Sequence, residues 1–203
     1  GANICTACAD VSRKDHVASM LAQVRQQSPQ GLHTIVHGAG AAADLQFPEL
    51  DADCYERVFA PKAHGAWNMH EATCGTALRA FLVFSSTAAS IGIIRGTSYA
   101  AANVYADALV ALRHEDGKAG LSIQWGAVAE VGMAARSESA GPRKRSPDVG
   151  MQSAFRSLSP REFKLVMASV VAGPWPGALL AVARTDWAML RQLLAERLPI
   201  LDE

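Results

Sequence analysis

Residues 84–103, FSSTAASIGIIRGTSYAAAN, place two serines, a tyrosine and an asparagine in an order that suits chemistry on an oxygen atom. The apolar run Phe81 to Phe84 ends on Ser85 and Ser86, a glycine-bearing loop follows, and Tyr99 opens an alanine-rich segment predicted to be helical. Tyr99 and Asn103 lie four residues apart and so share one helix face. If the loop folds back as a strand-to-helix connection, a serine hydroxyl meets the tyrosine phenol. Lys62 upstream offers a cation. A serine, a tyrosine and a lysine are what a carbonyl reduction needs: a donor to fix the oxygen, an acid to protonate it, and a charge that makes the acid usable. The charge matters because a free phenol has a pKa of about 10 and is an inefficient acid near neutrality. Taken singly, each residue also reads as ordinary: a packed tyrosine, a solvated helix lysine, a strand-end hydroxyl.

The fragment PKAHG around Lys62, the serines at 85 and 86, and YAAAN together resemble the ketoreductase domains of modular polyketide synthases, a branch of the short-chain dehydrogenase/reductase superfamily. In that branch the lysine precedes the serine and tyrosine, and asparagine stands four residues after the tyrosine, the reverse of the usual YxxxK order. The resemblance runs from Asp10 to the end of the chain. It implies that Tyr99 is the acid and that Lys62 supplies the charge. Ser86, thirteen residues before the tyrosine, would hold the substrate oxygen in preference to Ser85. Asn103 would position Lys62 or a relay water, and hydride would come from NADPH. His37-Gly38-Ala39-Gly40 resembles the HxAG turn, whose backbone follows the cofactor ribose. Asp10 and Val11, in the ADV triplet, resemble the segment that meets the adenine, although a helix-capping aspartate would look the same. Trp125-Gly126 and Gly132-Met133 resemble the segment bordering substrate and nicotinamide, and Trp125 reads equally well as core.

The same resemblance implies the reaction and its partners. The reaction is reduction of a β-ketoacyl thioester, tethered by phosphopantetheine to an acyl carrier protein, to the β-hydroxyacyl thioester, beside other domains of one synthase in the cytoplasm. A fatty acid synthase ketoreductase and a non-catalytic structural remnant are the alternatives. Two departures leave product configuration unassigned. Ala42, Ala43 and Asp44 stand where one subgroup has an LDD triplet, and Ile91 stands where the other has a tryptophan eight residues before the tyrosine.

Composition narrows the rest. The 203 residues are half apolar, and 19 basic residues balance 19 acidic ones, so nothing steers this surface to nucleic acid or an anionic membrane. The cluster Arg143, Lys144, Arg145 is the one local excess and reads as a solvated loop or a contact for an acidic carrier protein. Cys5, Cys8, Cys54 and Cys74 read as reduced thiols. Cys5 and Cys8 form a CxxC with no second pair or histidine set after it, so no metal site is expected. Pro174 and Pro176 interrupt the longest apolar stretch, and no membrane span is expected.

The elements that must position these residues alternate. Ala2 to Ala9 reads as a short apolar run, followed by an amphipathic helix with Val17, Met20, Leu21 and Val24 at helical spacing. Leu32 to His37 reads as a strand, residues 49–73 as helical with Pro61 an interruption, Arg79 to Phe84 as a strand, Ser98 to His114 as a helix, and Leu121 to Trp125 as a strand. From 127 to 158 no period is sustained, and a loop this long after a strand end is expected to act as a lid. Residues 159–203 read as helix, strand, helix, opening on Ser159-Pro160-Arg161-Glu162. The class is α/β, a Rossmann-like parallel sheet with flanking helices, in one partial catalytic domain over 1–203.

No glycine-rich phosphate-binding turn precedes Asp10. By the resemblance Ala2 to Ala9 is the third strand of the Rossmann unit, the first two strands and the phosphate loop being absent. The strand at 32–37 then becomes an exposed sheet edge. The isolated chain is expected to bind cofactor poorly and to be inactive.

Overall fold

A computed structural model describes residues 4–28, 30–43, 45–130, 154–175 and 177–197, with backbone alone for 193–197. Asp44, Gly132, Met133 and the basic cluster at 143–145 lie outside the described residues, as does most of the expected lid. The elements, in chain order, are α1 (Lys14–Gln27), β1 (Thr34–His37), α2 (Ala52–Phe59), a π-helical turn (Ala60–His64), α3 (Gly65–Ala72), β2 (Ala80–Ser86), α4 (Ala88–Ile91), α5 (Thr97–Glu115), β3 (Leu121–Trp125), β4 (Phe155–Arg156), α6 (Pro160–Ala172), β5 (Leu179–Val182), β6 (Arg184–Thr185) and α7 (Trp187–Arg197). The span read as one domain divides into two units, Gly1–Ile123 with Pro176–Leu180 and Gln124–Trp175 with Ala181–Glu203.

The sheet has the order β1-β2-β3-β5, so successive strands are neighbours, as in one half of a doubly wound fold. β1 and β2 are parallel, with Ile35 opposite Phe81 and His37 opposite Val83. Strand alternation sends Ile35 and His37 to the same face as Phe81 and Val83. There Val17 and Leu21 of α1, Met69 of α3, and Ala106 and Val110 of α5 complete one core. β1 is the end of the sheet order, and Val36 on its other face is 48% exposed, as the sequence led us to expect of an edge. Among the described residues of the opening segment no strand is formed. Residues 4–10 carry no ladder and Ile4 is 83% exposed. An extended segment becomes a strand only through a neighbour's hydrogen bonds, and no described strand supplies them.

Pro61 does not break the helical stretch. Asp51 caps α2 by accepting from Cys54 N–H at 2.6 Å. The chain then widens into the π-turn, where Gly65 N–H reaches the Ala60 carbonyl. A proline has no N–H to donate and crowds the preceding turn, and a wider ring accommodates both faults.

In the other unit, β4 and β6 pair antiparallel and Val128 bridges to Leu158, so the end of the stretch read as patternless is tied into structure. α6 opens on the expected reciprocal cap: Ser159 Oγ accepts from Glu162 N–H at 3.3 Å, and Glu162 Oε2 accepts from Ser159 N–H at 2.7 Å. Asp186 caps α7 by accepting from Met189 N–H at 3.1 Å. Ser159→Ala should lower the stability of this unit by about 1 kcal/mol, read as faster amide exchange in the first turn of α6. Unchanged protection there would show that the cap contributes nothing.

Candidate active site

Lys62 is the residue whose placement demands explanation. Its side chain is 4% exposed, and its Nζ donates to the carbonyl of Phe84 at 2.5 Å. Phe84 stands near the end of β2, two residues before Ser86, so the hydrogen bond ties the π-turn to the strand end that carries both serines. Burial lowers the lysine pKa to about 8, while attraction from Asp107 works in the opposite direction. At neutral pH the amine is still mainly an ammonium.

α5 packs against β2 and against the π-turn, bringing the third segment to the same place. Asn103 is completely buried and donates through Nδ2 to the Tyr99 carbonyl at 2.8 Å, one turn back on α5. Its Oδ1 is a buried acceptor with no protein partner, as are the hydroxyls of Ser85 and Ser98. Ser86 Oγ accepts from Ala88 N–H at 3.2 Å, at the start of α4, which leaves the hydroxyl proton available to a ligand. Tyr99 itself is half-buried. One further turn along α5, Asp107 Oδ1 accepts from Ser122 Oγ of β3 at 2.5 Å.

The segments named for the cofactor meet beside this cluster. The parallel register that sets His37 opposite Val83 puts the turn Gly38-Ala39-Gly40 at the same end of the sheet as Ser85 and Ser86. Gly38 and Gly40 are exposed, and a methyl group on Gly38 would lie 3.6 Å from the Phe84 ring. Bare backbone at parallel strand ends is where such sheets bind nucleotides. With three orphaned polar side chains nearby, the residues present fit a nicotinamide dinucleotide. His37 differs from its turn: its ring points into the core, 3% exposed, with Nε2 3.0 Å from the Lys62 carbonyl. Burial and the neighbouring ammonium lower its pKa to about 4, so it is neutral.

Asp10 is exposed and spends Oδ1 on Ser12, accepting from its N–H at 3.0 Å and its hydroxyl at 2.7 Å just ahead of α1. Val11 packs on the core, and its carbonyl accepts from Asn68 Nδ2 at 3.0 Å. Asn68 also donates to Ser12 O at 2.8 Å and so fixes the whole turn. Sequence reasoning missed both Asn68 and Gly65. A Cβ on Gly65 would stand 2.7 Å from Val11 Cγ2 and 2.9 Å from His37 Cε1. Only glycine lets the π-turn approach both segments, and a glycine inside a helical pattern was the available signal. Trp125 and Gly126 belong to the other unit. The Trp125 ring lies 4.7 Å from Phe163, and Gly126 N–H donates to Val182 O at 2.8 Å. That is the packing role the sequence left open for Trp125. Among the described residues no group of three His, Cys, Asp or Glu could hold a metal ion, and no helix is long and apolar enough to cross a membrane.

The family model for the KR domain matches residues 1–130. The chain belongs to the KR domains. Curated relatives are large polyketide synthases. The spectinabilin polyketide synthase system protein NorB of Streptomyces orinoci is 40% identical over 133 residues, 65% of this chain and 6% of that protein. Polyketide synthase GfsE of Streptomyces halstedii is 34% identical over 195 residues, 94% of this chain and 5% of that one. The chain therefore spans a small fraction of the relatives it matches. Among solved structures, that of A-type ketoreductases from a modular polyketide synthase superposes with a TM-score of 0.77 at 27% identity, over 92% of this chain and 37% of that one. The KR assignment places the chain in the short-chain dehydrogenase/reductase superfamily of oxidoreductases, with the α/β parallel-sheet fold read from the sequence.

In this KR domain a depressed lysine pKa has a stability consequence with a definite sign. Between about 8, the folded value, and 10.5, the ordinary one, the unfolded chain binds the proton that the fold does not. Stability from this group is thus present above that window and lost as pH falls through it. Lys62→Met should raise the unfolding free energy at pH 7 by roughly 1–3 kcal/mol, with the gain shrinking as pH climbs from about 8. A melting temperature that falls at pH 7 would show that the amine stabilises the fold.

Proposed function

We propose that the chain reduces a β-ketoacyl thioester carried on the phosphopantetheine arm of an acyl carrier protein, using NADPH, to the β-hydroxyacyl thioester. The observation that carries this reading is the buried Lys62 ammonium, held at the end of the strand that bears Ser86 and packed against the helix that bears Tyr99 and Asn103. The KR assignment supports reduction of a ketone in polyketide assembly. The carrier-bound substrate and NADPH over NADH are the finer parts of the proposal.

In this reading Ser86 donates its hydroxyl proton to the substrate carbonyl oxygen and fixes its position. Tyr99 gives that oxygen its proton as the C–O bond gains negative charge. Lys62 stabilises the phenolate left behind, and the free Oδ1 of Asn103 holds a water or the ammonium in line with that charge. The exposed backbone of Gly38 and Gly40, together with Asp10 and Val11, would hold the dinucleotide. When bound, NADPH supplies the hydride. Trp125 and Gly126 enter the proposal as the substrate border, with Gly132 and Met133 beyond the described residues.

In the intact synthase that carries this domain, Tyr99→Phe should lower turnover of a β-ketoacyl thioester by roughly 100-fold or more, followed by loss of NADPH absorbance, with little change in melting temperature. Retained turnover would remove the phenol from the mechanism. The pH profile should also fall on its alkaline side near pH 8, because the ammonium is present below that value and lost above it. A rate that stays level to pH 10 would mean that the Lys62 charge is not needed.

A further inference from the structure

His37 stands at the last position of β1, on the row that faces the core, and its ring is almost completely buried. A buried imidazole must satisfy its N–H, and the π-turn offers the main-chain carbonyls of Pro61 and Lys62, the latter 3.0 Å from Nε2. A carbonyl only accepts, so Nε2 must carry the proton and donate. The contact falls in the π-turn, where Pro61 contributes no N–H and the ordinary helical ladder is stretched. Beside Nε2, Gly65 lets the start of α3 approach the ring: a Cβ there would stand 2.9 Å from Cε1. The ring is therefore closely packed and hydrogen-bonded to the residue whose amine reaches the end of β2.

We propose that His37 is a positioning residue for Lys62: as a neutral Nε2–H donor it holds the main-chain carbonyl of residue 62 and so fixes where the ammonium lies at the end of β2. The inference deepens the ketoreductase reading and rests on it for its catalytic meaning. It also gives the histidine of the HxAG turn a task distinct from that of its neighbours. Gly38 and Gly40 present backbone to solvent, while His37 turns the other way and connects that same turn to the catalytic amine. Asp107 of α5 attracts the Lys62 charge, while burial and that same charge keep His37 of β1 neutral. Replacing His37 thus changes the amine's surroundings through position and not through charge.

The test uses the full chain and needs no turnover. A long-range proton–nitrogen spectrum of the unmutated protein is expected to show the His37 ring protonated at Nε2 and bare at Nδ1; the opposite tautomer overturns the proposal outright. In a second arm, the Lys62 13Cε and 15Nζ signals are titrated in the unmutated chain, in His37→Leu, which keeps an apolar filler, and in His37→Gln, whose amide nitrogen can restore the donor. The midpoint should rise from about 8 by at least half a unit in His37→Leu and return toward the original in His37→Gln. Equal midpoints in folded Leu and unmutated proteins overturn the proposal, and so does a shift that Gln leaves uncorrected. If His37→Leu does not fold, the tautomer and the Gln titration decide alone. Thioester reduction is measured alongside in the intact synthase that carries this domain: kcat should drop about tenfold in His37→Leu, with KM within twofold. Absence of reduction by the unmutated synthase counts against the ketoreductase reading and leaves both spectroscopic arms standing.

Discussion

A positive charge buried against a main-chain carbonyl sets the terms for everything near it. Moving an ammonium out of water costs several kcal/mol unless it is paired, and the Phe84 carbonyl offers a hydrogen bond without neutralising the charge. The attraction of Asp107 offsets part of that cost and leaves the lysine pKa depressed by burial. A carboxylate in direct contact would have made the site more stable and less responsive, since an ion pair spends the charge on its partner. The arrangement instead keeps the charge available to the face of α5 where Tyr99 and Asn103 lie. Sites that work on developing negative charge store this kind of mild instability and depend on the surrounding fold to hold it.

That holding falls to a small number of contacts, each with its own physical reason. Parallel pairing of β1 with β2 aligns the glycine turn and the serine pair at one end of the sheet, because parallel strands present their C-terminal ends together. The helical repeat sets Tyr99, Asn103 and Asp107 on one face of α5, and Ser122 ties the last of them to β3. Arg113, at the far end of that helix, is buried as well. Its Nε donates to Ala119 O, Nη1 lies 2.9 Å from His70 Nδ1, and its guanidinium covers the Phe81 ring at 4.2 Å. The middle and the C-terminal end of α5 are thus fixed by polar groups inside a largely apolar core, which limits how far the tyrosine can slide along the helix axis.

The sequence made the alternation of helices and strands legible because each element carries its own local signal. The strand Leu121 to Trp125 and the helix opening on Ser159-Pro160 are found where propensity and capping put them. The residues proposed for chemistry stood out in the sequence for another reason: singly each reads as ordinary, and only their types and order together resemble one family. What stayed hidden was every feature that depends on a partner far along the chain. The segment before Asp10 is a strand by resemblance, but its described residues carry no ladder, because a strand needs a neighbour to pair with. The inward turn of the His37 ring follows from strand register, which a single strand does not reveal. Asn68 looked like any polar helix residue until its two acceptors, the carbonyls of Val11 and Ser12, were in view.

The π-turn shows how local sequence and distant contact combine. Pro61 makes an unbroken α-helix unfavourable at that point, but a proline alone would equally permit a kink or a stop. Gly65, four residues on, decides between them from the other side. It removes the side chain that would have kept Val11 and His37 at a distance, and the widened turn closes the gap they leave. Once closed, the Lys62 carbonyl lies within reach of the His37 ring, and the Lys62 side chain is aimed across the strand end toward Phe84. The proline supplies the reason to depart from α-helical geometry, and the glycine supplies the space in which only one departure fits. The position of the buried amine is then a consequence of two residues that its hydrogen bond to Phe84 does not involve.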